Sequence, residues 1–345
     1  MAEKVRVLIV DDSAFFRKRI RLQLESTGEV VIAGEASNGR EAVEMACSLC
    51  PDLITMDVAM PLLDGISAGR EIMRDHPTDI LMVSALTRDG ARATLDALHA
   101  GAVDFLAKQG GVAGDAAWPG SDDLGSRVIS IARRQPARRA VNASPVATRP
   151  LRGGRRQGTL RLVAIGASTG GPVAVQRVLG ELPARYPYPV LVAVHMPAEF
   201  TLTFAERLDS VCAIEVRQAA DGDELLPGRA LIAPGGRQTM VEVAGERLHV
   251  RVMPGGDQLY KPSVDVLFGS AARALGRAVH AVVLTGMGSD GTAGARLLKE
   301  RGSSVWSQDQ ASSVVFGMPH AVAKAGHSDR VLALDDIGPA LSGIT

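Results

Sequence analysis

The chain has 345 residues, enough for two domains of ordinary size, each with its own apolar core. Its 38 basic residues balance its 38 acidic ones, which argues against a protein whose main task is to coat nucleic acid or an anionic membrane. With no apolar run near the ~20 residues that span a bilayer, no signal-peptide core and only three cysteines, a reducing cytoplasm is the expected setting.

Residues 5–10 form a β-branched apolar run that ends in Asp11-Asp12-Ser13, with Ser13 placed to cap the amphipathic helix that follows to about residue 27. The alternation repeats, with strands over 30–36, 53–56, 80–83 and 103–106 and helices over 39–49, 65–75 and 90–100. Such a pattern implies a parallel sheet covered by helices on both faces, with ligands at the carboxyl ends of the strands. Charge collects at those ends. Asp11 and Asp12 end the first strand, Asp57 the third and Ser84 the fourth, and Lys108 follows the fifth. Three converging carboxylates repel one another unless a hard divalent cation joins them, and Mg²⁺ suits a site with a few carboxylates and several waters. Lys108 and Ser84 beside them would serve a phosphoryl group carried on one carboxylate. Any one of these could be an ordinary solvated loop residue; five at a single edge exceed that reading.

Residues 1–110 resemble a response-regulator receiver domain. The resemblance lies in Asp11-Asp12, Asp57-Val-Ala-Met-Pro-Leu-Leu-Asp64-Gly65, Ser84, and Gly101-Ala-Val-Asp-Phe-Leu-Ala-Lys108. It implies that Asp57 accepts a phosphoryl group from a partner histidine kinase, with Mg²⁺ held by Asp11, Asp12 and Asp57. It also implies that Ser84 and Phe105 report phosphorylation to the surface of the last two helices and strand. One departure is that Lys108 is followed by Gln109-Gly110-Gly111 instead of proline, which leaves the geometry of that loop open.

Cys47-Ser-Leu-Cys50 lacks the second Cys/His pair of a zinc site and falls at the C-terminal end of a helix, away from the end that lowers a thiol pKa. Buried apolar positions are expected there. Residues 110–126 are rich in Gly, Ala and Asp, and 124–134 close the first domain as a helix. From 133 to 156 there are eight arginines, three prolines and no acid. That stretch could attract an acidic partner or nucleic acid, but without aromatic interleaving it reads as a solvated tether. The expected organisation is a receiver over 1–134, a linker over 135–157 and a second domain over 158–345.

The second domain opens with an apolar strand, 162–165, that breaks into Gly166-Ala-Ser-Thr-Gly170 and a helix over 173–182. A serine between glycines at a strand-to-helix turn matches the nucleophile elbow G-x-S-x-G. The glycines keep side chains off the hydroxyl, and the helix N-terminus favours developing negative charge. A glycine-rich loop that cradles phosphate is the alternative. Further strands over 189–194, 229–233, 281–284 and 303–306, a hairpin over 240–252, and helices from 262 to 275 and to about 301 make this half α/β as well, with a largely parallel, Rossmann-like sheet.

Of seven histidines, His195 stands directly at the carboxyl end of a strand, the edge that carries Ser168. His280 precedes its strand and so belongs to the opposite edge; His76, His99 and His249 read as surface, and His320 and His327 lie beyond the last strand. Asp290 and Asp309 could each orient the imidazole. Asp290 is favoured because Gly286-Met-Gly lets amides face the site and a carboxylate at a helix start stays ionised. Gly286-Met-Gly-Ser-Asp-Gly291 is also a literal G-x-G-x-x-G, with Asp309 where a ribose-binding acid would lie. A dinucleotide enzyme would leave Ser168 and His195 without a role.

The order Ser168, His195, Asp290 differs from that of α/β-hydrolases. It resembles the catalytic domain of the chemotaxis protein-glutamate methylesterase family. The shared stretches include Gly166-Ala-Ser-Thr-Gly-Gly-Pro172, His195-Met-Pro197, Ile232-Ala-Pro-Gly-Gly236, Pro262-Ser-Val-Asp-Val-Leu-Phe268, Thr285-Gly-Met-Gly-Ser-Asp-Gly291 and Val315-Phe-Gly-Met-Pro319. The resemblance implies Ser168 as nucleophile, His195 as base, Asp290 as orienter, the Met287 amide in an oxyanion hole, and Thr169 lining the site. It implies γ-glutamyl methyl esters of chemoreceptors as substrate, glutamine deamidation as a second activity, no cofactor for the esterase, and a receiver that shields the site until Asp57 is phosphorylated. A nucleic-acid-binding output domain is the rival from another class, but the second half has no helix-turn-helix pattern or basic recognition helix. Neither nucleic-acid binding nor membrane insertion is expected.

Overall fold

Apolar runs too short for helices and bounded by glycines and acids become fully buried strands here, and two parallel sheets result. The structure, a computed structural model, describes residues 3–85, 87–108, 123–134 and 160–344. The expected 135–157 linker and the Gln109-Gly110-Gly111 departure lie outside the described residues.

The first sheet contains β1 (Val5–Val10), β2 (Val30–Ala36), β3 (Leu53–Asp57), β4 (Asp79–Ala85) and β5 (Asp104–Lys108), in the order β2-β1-β3-β4-β5 and parallel throughout. Between and after them run α1 (Ala14–Glu25), α2 (Gly39–Leu49), α3 (Gly65–Asp75), α4 (Arg88–His99) and α5 (Asp123–Ala132). The strand order reverses between β1 and β3, which opens a crevice at their carboxyl ends. Local chemistry sets several helix starts: Asn38 accepts the Glu41 N–H at α2, Asp64 those of Ile66 and Ser67 at α3, and Thr87 that of Gly90 at α4. At α1 the expectation fails. Ser13 sits in the capping position but its hydroxyl makes no cap bond; its N–H donates instead to Asp11 Oδ1 at 2.9 Å. Cys47 and Cys50 are exposed, not buried, because the last turn of α2 points them away from the sheet.

The second sheet contains β6 (Leu162–Ala167), β7 (Val190–Val194), β8 (Glu215–Gln218), β9 (Arg229–Ile232), β12 (Val279–Val283), β13 (Ser304–Gln308) and β14 (Arg330–Leu332), in the order β14-β13-β12-β6-β7-β9-β8, all parallel. A separate antiparallel hairpin, β10 (Arg237–Ala244) and β11 (Arg247–Pro254), packs on α8 (Val264–Leu275). The remaining helices are α6 (Gly171–Gly180), α7 (Ala198–Val211), α9 (Thr292–Glu300), α10 (Met318–Lys324) and α11 (Leu334–Ser342). Every residue of β6, β7, β12 and β13 is buried, as expected of strands covered on both faces. His280 lies inside β12, not before it, in register with Val163 of β6 and Ser304 of β13; its ring is buried edge-on against Trp306, 4.1 Å between centroids. The edge strands β8 and β14 are short, four and three residues, with one buried residue each, so they carry little alternation to read. Among the described residues no helix is long and apolar enough to cross a membrane.

The two domains share a contact. Phe105 of β5 stacks on Phe200 of α7, with centroids 4.4 Å apart and planes 19° apart. Leu95 and Leu98 of α4 join Phe200 and Phe204 of α7 in one buried apolar cluster. Asp96 pairs with Arg207 at the rim of this contact, and Arg92 with Glu206.

Candidate active site

The first sheet's crevice gathers the acids read from the sequence. Ligand oxygens of Asp11, Asp12 and Asp57 lie within 4.8 Å of one another. Lys108, the last residue of β5, stands 2.7 Å from both Asp11 Oδ2 and Asp57 Oδ2, with its ammonium 4.6 Å from the centre of the Phe16 ring. Burial, with a smaller push from the Asp11 charge, raises the Asp57 carboxyl above its ordinary value, and Lys108 offsets only part of that. Asp11 Oδ2 is buried and shares the one Lys108 ammonium with Asp57. Three crowded carboxylates, two of which share one ammonium, form a donor set that fits a hard divalent cation. Ser84, the last residue but one of β4, lies at the same edge and donates to the Gly90 carbonyl at 3.3 Å. Phe105 points elsewhere, into the domain contact.

The second site forms where three adjacent strands, β7, β6 and β12, end side by side. Ser168 follows β6. Gly170, at φ +73°, turns the chain into α6 in a conformation that favours glycine, and the Gly171 N–H closes the turn on the Ser168 carbonyl at 2.6 Å. His195 follows β7, with its N–H on the Ala167 carbonyl at 3.1 Å. Its Nδ1 is 3.1 Å from Ser168 Oγ, and its Nε2 is 2.8 Å from Asp290 Oδ2. One ring therefore bridges serine and acid. Asp309 takes no part: its carboxylate accepts the Ser312 N–H and hydroxyl within its own loop.

Asp290 is held more firmly than its own helix start would allow. Oδ2 accepts the Val264 N–H at 2.7 Å; Oδ1 accepts the Asp265 N–H at 2.9 Å, the Ser263 hydroxyl at 3.0 Å and the Gly291 N–H at 3.0 Å. Most of these donors belong to the N-terminus of α8, not to α9, which corrects the expectation that α9 keeps the acid ionised. Burial pushes the Asp290 carboxyl up, but the His195 hydrogen bond and charge, with the Asp265 and Val264 amides, outweigh it and hold the group below its ordinary value. Asp265 returns the arrangement by accepting the Gly294 N–H of α9 at 2.7 Å. Asp290 within the G-x-G-x-x-G stretch is thus committed to His195 and the start of α8, and Asp309 to its own loop, which leaves neither acid for a ribose.

Sequence reasoning missed Tyr260, whose ring stacks on His195 with centroids 4.2 Å and planes 7° apart. It also missed Gln238, which donates to the Tyr260 carbonyl at 2.7 Å and accepts the Ser263 N–H at 2.9 Å. No local signal marks either residue; the Pro262-Ser-Val-Asp265 stretch was the available pointer. Thr169 is buried, its Oγ1 without a hydrogen-bond partner among the described residues. The Met287 N–H donates to no backbone carbonyl among the described residues, and the Met287 side chain packs with Val314 against a buried cluster that joins Val315 to Val83 and Leu106 of the first domain. Beside the triad opens a cavity of about 420 Å³, lined by Tyr260, Ser263, Asp265, Ser289 and Asp290 among others.

Residues 163–341 match the CheB methylesterase family, and residues 7–113 the response regulator receiver domain family. The chain belongs to the CheB methylesterase family. It is 51% identical to a protein-glutamate methylesterase/protein-glutamine glutaminase of Alkalilimnicola ehrlichii, over 98% of this chain and 99% of that one. Identity to a protein of the same description from Pseudomonas aeruginosa is 50%, over 97% of each. The crystal structure of the Thermotoga maritima CheB methylesterase catalytic domain is 36% identical and superposes with a TM-score of 0.53, covering 54% of this chain and 100% of that one. This CheB chain is a hydrolase with a receiver domain at its N-terminal end.

Proposed function

We propose that this CheB chain is a phosphorylation-controlled serine esterase that hydrolyses glutamyl γ-methyl esters on chemoreceptors, and deamidates glutamines, in the cytoplasm. The observation that carries the catalytic reading is the imidazole of His195 held between Ser168 Oγ and Asp290 Oδ2. An ionised Asp290 accepts the Nε2 proton and fixes the tautomer in which the Nδ1 lone pair meets the serine hydroxyl. Ser168 Oγ attacks the ester carbonyl carbon as its proton passes to Nδ1. The carbonyl oxygen becomes an oxyanion, which the Met287 N–H stabilises; a donor of this kind contributes roughly 3–4 kcal/mol. As the tetrahedral centre collapses, the C–OCH₃ bond breaks and the Nδ1 proton leaves with methanol. Water then attacks the acyl-enzyme by the same route in reverse and frees glutamate and the serine. A glutamine substrate follows the same course, with ammonia as the leaving group. Thr169 lines the site beside the nucleophile.

Control comes from the receiver. Asp57 Oδ takes a phosphoryl group from the phosphohistidine of a partner kinase, within reach of Lys108 and Ser84. Asp11, Asp12 and Asp57 would hold Mg²⁺, which when bound offsets the negative charge of the carboxylates and the phosphoryl group. In the unphosphorylated arrangement the first domain reaches Val315, and Met287 packs against the same cluster, so access to the oxyanion side is restricted. Phosphorylation shifts the population away from that contact. In the test, methylated receptors are incubated with the full chain and methanol is measured; Ser168→Ala should release none above background, and wild-type release from that variant would refute the assignment.

A further inference from the structure

Just beyond β12, Thr285 uses every polar group it has. Its N–H donates to Gln308 Oε1 at 2.8 Å, and its carbonyl accepts the Ser168 N–H at 3.0 Å. Its hydroxyl accepts the Val315 N–H at 3.0 Å and donates to the Thr169 carbonyl at 2.9 Å, with the Val315 carbonyl at 3.2 Å as a second acceptor. One buried side chain, 1% exposed, thereby ties three loops together: the nucleophile turn, the Gly286–Gly288 loop and the segment that enters α10.

The neighbouring residue repeats the tie. The Gly286 N–H donates to the Val315 carbonyl at 3.0 Å, and the Gly286 carbonyl accepts from Gly317 at 3.0 Å and Met318 at 2.8 Å. There is no space for a side chain at Gly286, where a Cβ would stand 2.8 Å from Ser168 Cβ and 2.5 Å from Met318 Sδ. Gln308 anchors the far side: its Nε2 donates to the Ser312 carbonyl at 2.8 Å. Ser168 and Met287, the two residues whose separation defines the reaction geometry, lie on loops that meet at the Thr285 hydroxyl.

We propose that Thr285 is a positioning residue for ester cleavage: its hydroxyl fixes the nucleophile turn against the glycine loop and so sets where the oxyanion donor stands relative to Ser168 Oγ. The proposal rests on the methylesterase reading above. Buried beneath the loops, the hydroxyl touches no substrate, so its loss acts on the transition state and leaves ground-state binding alone.

Thr285→Val keeps the branched shape but leaves the Val315 N–H and Thr169 carbonyl without that partner; Thr285→Ser keeps the hydroxyl. Both are assayed in the full chain for methanol release from methylated receptor, with rates normalised to folded protein from circular dichroism and thermal melting. Thr285→Val should lower kcat by roughly 10²-fold, the scale of a 1 Å misplacement, with KM unchanged within about twofold. Thr285→Ser should recover most of that loss. Wild-type kcat in Thr285→Val overturns the proposal, as does a loss that Thr285→Ser shares in full or that follows the folded fraction. Ser168→Ala in parallel separates the two claims. If it stays active, the reading of the site fails; if it is dead while Thr285→Val is fully active, only the positioning role fails.

Discussion

Asp57 and Asp290 occupy equivalent places, each buried at the carboxyl edge of a parallel sheet next to a strand-order reversal, and their environments are opposite. Asp290 receives backbone N–H groups from Val264, Asp265 and Gly291, the Ser263 hydroxyl and an imidazole, and its carboxyl is held below the ordinary value. Asp57 has the Val58 N–H and the Lys108 ammonium, shares that ammonium with Asp11, and its carboxyl is raised. The first carboxylate is satisfied by the protein itself and can only orient a neighbour. The second is left short of positive charge, the condition that suits an acid waiting for a cation and a phosphoryl group.

The sharpest way to break this contrast is at Asp290. Asparagine has nearly the same shape, but its NH₂ group can face Nε2, which then carries no proton; the proton moves to Nδ1 and points at Ser168. Asp290→Asn should therefore lower kcat by roughly 10³–10⁴-fold, with KM little changed. Steady-state methanol release checks this, and a loss under tenfold would mean that the tautomer is not set by this acid.

At Asp57 the expected readout is stability. Mg²⁺ that binds only the folded acidic cluster stabilises it, by about 2.7 kcal/mol at 100 times its Kd. Asp57→Asn should remove most of the rise in melting temperature that Mg²⁺ produces in the wild-type chain; an undiminished rise would place the ion elsewhere. The two acids should also respond to pH with opposite sign. The Asp57 carboxyl is raised in the folded state, so its contribution to stability falls as pH rises from the ordinary carboxylate value through the raised one. The Asp290 carboxyl is depressed, so its contribution is present above the ordinary value and is lost as pH falls through the depressed one. Urea titrations across the acidic range should show that Asp57→Asn steepens the net rise of stability with pH and Asp290→Asn flattens it.

The two sites were legible in the sequence to different depths. Ser168, His195, Asp57 and Lys108 stand within a residue or two of a strand's end, so recognising the strand was enough to put each at the right edge. What holds Asp290 could not be seen that way. Three of its donors, Ser263, Val264 and Asp265, lie 25 to 27 residues earlier in the chain, at the start of a helix that packs on α9, and only tertiary folding brings the two starts together. The ring orientation of His195, with Nδ1 towards the serine, is likewise a product of where β7 and α8 end up. Cys47 and Cys50 were misplaced because composition says little about which side of a helix's last turn faces water.

Tyr260 offers a smaller, more discriminating test of the esterase half. Its ring stacks face to face on the His195 imidazole and restricts its rotation. Aromatic pairs of this kind contribute about 0.5–1.5 kcal/mol beyond area burial, so Tyr260→Leu should lower kcat by roughly 2- to 10-fold. Tyr260→Phe, which keeps the ring, should lose less; equal losses in both would assign the effect to the hydroxyl instead of the stack.

The smallest expected effect lies between the two regions, and its sign is informative. Asp96 of α4 and Arg207 of α7 pair at the rim of the domain contact, with the Asp96 side chain about half exposed. Exposed pairs contribute roughly 0.2–1 kcal/mol, so losing one shifts an equilibrium between closed and open domain arrangements by up to about fivefold. Neither residue belongs to the triad or the acidic cluster. If the unphosphorylated receiver shields the esterase, Asp96→Ala should raise basal methanol release by up to that factor, while activity under saturating phosphodonor stays as it was. Added salt should raise wild-type basal activity in the same direction, because screening weakens the same pair, and should affect Asp96→Ala less. A fall in basal activity would mean that the contact between α4 and α7 supports the esterase instead of covering it.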